Sequence, residues 1–250
     1  MSNNKVFYPQ FLDFMVKSGA LLFGDFTLKS GRKSPYFINT GEYSDGEELA
    51  ILGSYYAKLI HNSVRESPGG IDEHVEQAEI DRLNLLIAKK FNVLYGPAYK
   101  GITLVSLAGA ALASKGLNLY FSFNRKERKT HGDESLFFGH TPENGDKIAI
   151  VEDVTTAGTS VRETIAILKE LGIDARITSL YISVDRMERG THDISATQEL
   201  QQEYGIDVHS IATTYDIIAY LENPACTIPE AAKHADAMRE YLKLYGAKQL

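Results

Sequence analysis

The feature that most constrains this chain is the regular alternation of strand and helix patterns in its second half. Residues 91–95 form an apolar run that leads through a glycine-bounded loop into an apolar helix over 101–115. Residues 118–123 lead into a polar loop over 124–146, and residues 147–151 lead through a short turn into a helix over 159–171. The run 175–184 is followed by a loop and a helix near 195–204, then a strand over 207–213 and two closing helices. Such alternation predicts an α/β protein with a central, mainly parallel sheet and helices on both faces. Ligands bind such sheets at the carboxyl ends of the strands, so each loop that follows a strand is a candidate site.

The first half reads differently. Phe7, Phe11, Phe14 and Met15 recur at helical spacing and Gly19 ends the pattern. The aromatic segment 20–41, interrupted by Ser30-Gly31, predicts a hairpin. Leu49, Leu52, Tyr56 and Leu59 share one face of a helix from Gly46 to about His61. Residues 62–72 are a turn-rich break, and 73–90 predict a further surface helix with an acidic face. Thr227 and Glu230 are spaced as a capping box for the last helix. With 14 Tyr, 11 Phe and 44% apolar residues, the chain has material for a full core.

A net charge of -7 argues against a general nucleic-acid surface, which needs a basic excess. The single cysteine, Cys226, rules out an intramolecular disulfide, reads as a packing residue and fits a cytoplasmic setting. No run approaches a membrane span in length, and Asp13 interrupts the apolar N-terminal region, so no signal peptide is expected.

The segment from Ile148 to Ser160 carries the most chemistry. Four apolar residues lead to Glu152 and Asp153, then Val154, Thr155, Thr156, Ala157, Gly158, Thr159 and Ser160 open a helix. Small residues let backbone N–H groups approach an anion, hydroxyls add donors, and the helix dipole favours negative charge. The carboxylates would repel a phosphate, but they accept hydrogen bonds from ribose hydroxyls or hold magnesium through water. Together they describe a site for a phosphorylated ribose. The bland alternative is an ordinary strand-to-helix turn with a capping Thr or Ser. No GxxxxGK[ST] or GxGxxG opens any helix.

This segment resembles the phosphoribosyl diphosphate (PRPP) motif of the type I phosphoribosyltransferases. Three further segments, 26–39, 96–101 and 124–132, are similar to those of the orotate phosphoribosyltransferases and occur in the same order. The resemblance implies a single domain over 1–250. Its hood would be built mainly from 1–45 and its core from about 46–215, with an extra surface helix within 62–90 and C-terminal helices over 214–250. It implies transfer of the phosphoribosyl group of PRPP to orotate, with Mg2+, in a homodimer whose loop 124–141 completes the partner's site. Carried over by position, Glu152 and Asp153 hold the ribose and residues 154–160 hold the 5′-phosphate. Tyr99 and Lys100 meet the diphosphate. Lys126, Lys129 and His131 supply the catalytic loop with Arg125 at its base, all four bind PRPP, and Lys100 joins the three loop residues in catalysis. Lys29, Phe37, Ile38, Thr156 and Arg186 contact orotate, although the family commonly has Phe where this chain has Ile38. Two rival readings remain at this point: a phosphoribosyltransferase for another base, and a non-enzymatic PRPP sensor.

Overall fold

The computed structural model describes residues 7–28, 31–65, 76–126, 136–155, 158–190 and 193–248. In chain order the elements are α1 (Pro9–Lys17), β1 (Leu21–Thr27), β2 (Lys33–Ile38), α2 (Gly46–Asn62), α3 (Gln77–Lys90), β3 (Val93–Gly96), α4 (Lys100–Ala113), β4 (Tyr120–Asn124), β5 (Phe137–Gly139), β6 (Lys147–Val154), α5 (Thr159–Glu170), β7 (Arg176–Asp185), α6 (Ala196–Tyr204), β8 (Asp207–Thr213), α7 (Thr214–Glu222) and α8 (Ala231–Tyr245). A 3-10 turn at Thr40–Glu42 follows β2.

Six strands form one sheet in the order β5-β4-β3-β6-β7-β8. All neighbours are parallel except the edge pair β4 and β5. The central strands are apolar on both faces, as a sheet buried on both sides requires. Ala149 and Val151 of β6 face one core, built against α1, α2, α4, α7 and α8. Ile148 and Ile150 face the other, built against α5 and α6. The chain runs outward from β3 to β4 and returns to β6 on the other side of β3. Strand order therefore reverses between β3 and β6, and a crevice opens at their carboxyl ends.

The β1–β2 hairpin is a separate antiparallel sheet. It is tied to the main sheet where Tyr36 hydrogen-bonds Thr214 at 2.9 Å and Arg186 donates to Ser34 at 3.2 Å.

Several expectations change in detail. β5 lies inside what reads as a polar loop. α3 begins at Gln77, and residues 66–75 lie outside the described ones. The helix buries Leu83 and Ile87 from its predicted apolar face. Phe7, on the predicted apolar face of the first helix, is 42% exposed. The Thr227–Glu230 capping box does not form. Glu230 is the N-cap in a left-handed conformation (φ 54°), with no side-chain cap bond. The boxes that do form use Ser195 with Gln198, and Thr213 with Asp216. Cys226 packs against the larger core, as expected.

Two predictions follow from the packing. Gly96 and Gly101 touch: a Cβ on Gly96 would lie 2.1 Å from the Gly101 carbonyl oxygen. Gly96→Ala should therefore cost about 1–3 kcal/mol and lower the melting temperature by several degrees. A wild-type melt would contradict this contact. His209 stacks on Tyr181 at 5.2 Å, and its Nε2 is buried without a hydrogen-bond partner among the described residues. Burial, aided by the charge of Lys90, lowers its pKa from 6.5 to about 4. Between those values the unfolded chain binds the extra proton, so this group's stabilisation is complete above pH 6.5 and is lost as pH falls toward 4. Denaturation of the wild type and of His209→Phe across that range should show a flatter profile for the variant.

Candidate functional site

The acidic pair sits at the end of the strand, as the sequence reads, and within its last three residues. β6 continues through Glu152 and Asp153 to Val154, and the two residues are 9% and 6% exposed. Their side chains are engaged within the protein. Asp153 Oδ2 accepts from Lys100 Nζ at 2.7 Å and from Thr40 Oγ1 at 2.9 Å, and its Oδ1 accepts from the Val154 N–H at 2.7 Å. Burial raises the Glu152 carboxyl to about 7; the neighbouring Asp153 charge adds to this, and a hydrogen bond with Ser160 opposes it.

Next to the pair, α5 begins at Gly158, which adopts φ 66° as the N-cap. A Cβ there would meet Leu200 at 2.9 Å, so glycine meets both a conformational and a steric demand. The Gly158 N–H donates to Thr155 Oγ1 at 3.1 Å, and Thr155 is buried. No acidic residue occupies the first turn of α5, which leaves its N–H groups and dipole suited to an anion. Thr156 and Ala157 lie outside the described residues.

Lys100 is the first residue of α4 and Tyr99 its N-cap. Tyr99 is 66% exposed, and Lys126 Nζ sits over its ring at 5.0 Å from the centroid. Arg125 lies at the end of β4, where its N–H pairs with the Leu136 carbonyl and closes the base of the loop. Its guanidinium stacks on Phe138 at 4.4 Å, and its buried Nε and Nη1 have no hydrogen-bond partner among the described residues. Such a cation can still take up anionic oxygens. Lys129 and His131 lie outside the described residues, as does Lys29.

The residues carried over for the base are more scattered. Phe37 is partly exposed and stacks on Phe26 at 5.5 Å. Ile38 follows the alternation of β2 with Tyr36 and buries its side chain in the core, on the face opposite Phe37. In this structure it packs the fold rather than offering a ligand surface. Arg186 is 5% exposed and is not an open cation. Its Nε donates to Glu188 Oε1 at 2.7 Å, and its guanidinium lies over the Tyr36 ring at 4.3 Å. Glu188 also accepts from the Tyr241 hydroxyl at 2.8 Å and faces Arg32 at 3.5 Å.

Lys100, Thr40, Asp153, Glu152 and Ser160 thus form one connected cluster, contributed by four segments. Thr40 was missed by sequence reasoning. It belongs to no motif, and only the return of the hairpin to the sheet brings it to Asp153. Among the described residues, no group of three or more His, Cys, Asp or Glu side chains is arranged to hold a metal. No described helix is long and apolar enough to cross a membrane.

No family model matches the chain, but relatives match it over nearly its full length. It is 40% identical over 247 residues to an orotate phosphoribosyltransferase of Clostridium beijerinckii, covering 98% of this chain and 100% of that protein. It is 42% identical over 242 residues to that of Clostridium acetobutylicum, covering 96% and 97%. Among solved structures, the orotate phosphoribosyltransferase of Francisella tularensis is similar with a TM-score of 0.74 at 34% identity, covering 95% of this chain and 100% of that one.

The raised Glu152 pKa has a stability consequence. Between the ordinary value of 4.5 and about 7 the folded chain holds the extra proton. The group's stabilisation is therefore complete below pH 4.5 and is lost as pH rises to 7, opposite in sign to that of His209. Glu152→Gln should remove this decline in denaturation measured from pH 4.5 to 7.5. An unchanged slope would show that Glu152 titrates normally.

Proposed function

The chain belongs to the orotate phosphoribosyltransferases, and from that premise we propose how its own residues divide the work. The enzyme transfers the phosphoribosyl group of PRPP to orotate, giving orotidine 5′-monophosphate and diphosphate in pyrimidine biosynthesis. The observation that carries the site assignment is the buried acidic pair beside the N-terminus of α5, with Lys100 drawn against Asp153.

Glu152 and Asp153 accept hydrogen bonds from the ribose hydroxyls. Val154 to Ser160, with Thr156 and Ala157 among them, hold the 5′-phosphate on backbone N–H groups and hydroxyls. Tyr99 and Lys100 meet the diphosphate. When PRPP enters, Lys100 leaves Asp153 for the diphosphate oxygens, which frees the carboxylate for the ribose. One ion pair thus keeps two charged groups satisfied until the substrate separates them.

Bond breaking at the sugar develops positive charge on the ring and negative charge on the leaving group. Catalysis is positioning plus stabilisation of those charges, with no covalent intermediate. Lys126, Lys129 and His131, with Lys100, neutralise the departing diphosphate, Arg125 binds PRPP at the base of their loop, and the loop excludes water. Magnesium fits a site whose two carboxylates face substrate oxygens, and when bound it would neutralise diphosphate charge, held mainly by PRPP and through water by Glu152 and Asp153. Phe37 packs the orotate ring, with Lys29 and Thr156 beside it. Arg186 reads the orotate carboxylate, a role that requires the ligand to share or displace Glu188. The enzyme works as a homodimer in which loop 124–141 completes the partner's site, and a cytoplasmic location fits its single cysteine.

With PRPP and magnesium present, the ultraviolet absorbance of orotate should fall, while uracil and hypoxanthine should remain. Consumption of either of those bases in place of orotate would contradict the assignment. Lys126→Ala and Lys129→Ala should each lower kcat by about 10²-fold with an unchanged melting temperature. Mixing a Lys129→Ala chain with an Asp153→Asn chain should restore part of the activity. If mixing restores none, the shared site is wrong.

A further inference from the structure

β6 runs past its neighbour. Its pairing with β3 ends at Tyr95 and Ile150, whereas β6 continues to Val154 with only β7 beside it, through Glu152 with Ile182 and Val154 with Val184. The segment that carries the acidic pair is thus a one-sided strand, and backbone groups facing the missing neighbour need other partners. The Glu152 carbonyl receives one from a side-chain hydroxyl: Tyr56, fully buried in the middle of α2, donates to it at 2.6 Å. On the β7 side, the Ser183 hydroxyl, fully buried in β7 itself, donates to the Asp153 carbonyl at 2.6 Å.

Consecutive carbonyls of the pair are therefore each fixed by a hydroxyl from a different element. α2 itself is closely seated. Gly53, one turn before Tyr56, approaches α4 so tightly that a Cβ would meet the Leu107 carbonyl oxygen at 2.9 Å. Burial holds the Tyr56 phenol well above its usual pKa, so it remains a donor at all working pH values.

We propose that Tyr56, supported by Ser183, is a positioning residue that sets the orientation of Glu152 and Asp153 for the ribose hydroxyls. The two carboxylates must present themselves together to one sugar, and a one-sided strand end can twist. The phenol restrains that twist from the buried side while leaving the open side to substrate. The proposal rests on the reading of the acidic pair as the ribose-holding groups. A purely structural role for Tyr56 would be that of a core aromatic whose ring fills volume, and Tyr56→Phe keeps that ring.

The test compares Tyr56→Phe, Ser183→Ala and Asp153→Asn in full-length enzyme, measuring KM for PRPP, KM for orotate, kcat and melting temperature. Tyr56→Phe should raise KM for PRPP by about 3- to 10-fold, the worth of one hydrogen bond, with KM for orotate within error. Ser183→Ala should act in the same direction. A double variant should be less than the product of the singles, since both restrain the same strand end. If Tyr56→Phe lowers the melting temperature while KM for PRPP is unchanged, or raises both KM values equally, the positioning role is overturned. If Asp153→Asn leaves KM for PRPP unchanged, the ribose assignment fails instead; if it raises KM for PRPP while Tyr56→Phe does not, only the role of Tyr56 fails.

Discussion

Burying two adjacent carboxylates at the end of a central strand is costly, because each loses its hydration and each repels the other. The protein meets that cost with partners from distant parts of the chain. Thr40 arrives from the turn after the hairpin, Lys100 from the start of α4 and Ser160 from the start of α5. The burial of Glu152 still shows in its raised pKa. In the absence of such partners the fold would be expected to expose the pair to water. With them the two carboxylates stay buried, while Lys100 reaches them from a largely exposed position.

The same point is where the sheet topology opens a crevice. Strand order reverses between β3 and β6, so the loops after both strands face each other. One loop brings the contacting glycines Gly96 and Gly101 together with Lys100, and the other brings the acidic pair and the N-terminus of α5. The groups proposed to meet the sugar, the diphosphate and the 5′-phosphate are thus neighbours because of how the strands are ordered. The hairpin of β1 and β2 leans onto this crevice through Tyr36 and Thr40.

Much of this was legible in the sequence. The runs of β6 and β7 are long and β3 is short but wholly buried, so their positions follow from pattern. The acidic pair and the small-residue turn were legible because their chemistry is local. What escaped was non-local or too short. β5 is three residues, Phe137 to Gly139, and offers no period. The acids were read at the strand's end, but the partners that bury them, Thr40 and Lys100, come from distant segments. Arg186 pairs with Glu188, two residues later, as the local sequence allows, but the pair is buried rather than at the surface. Ile38 reads as a ligand contact by position, but strand alternation turns it inward with Tyr36. Tyr56 was legible as a buried aromatic, whereas the carbonyl its hydroxyl meets is 96 residues away.

The central claim is that Asp153 and Lys100 guard one another until PRPP separates them. A crystal structure of the enzyme with PRPP and magnesium tests it most directly. Ribose hydroxyls should lie within hydrogen-bond distance of both Glu152 and Asp153, the 5′-phosphate at the start of α5, and Lys100 should have moved to the diphosphate. A complex in which Lys100 stays on Asp153 while PRPP is fully bound, or in which the phosphate lies away from residues 154–160, would contradict it.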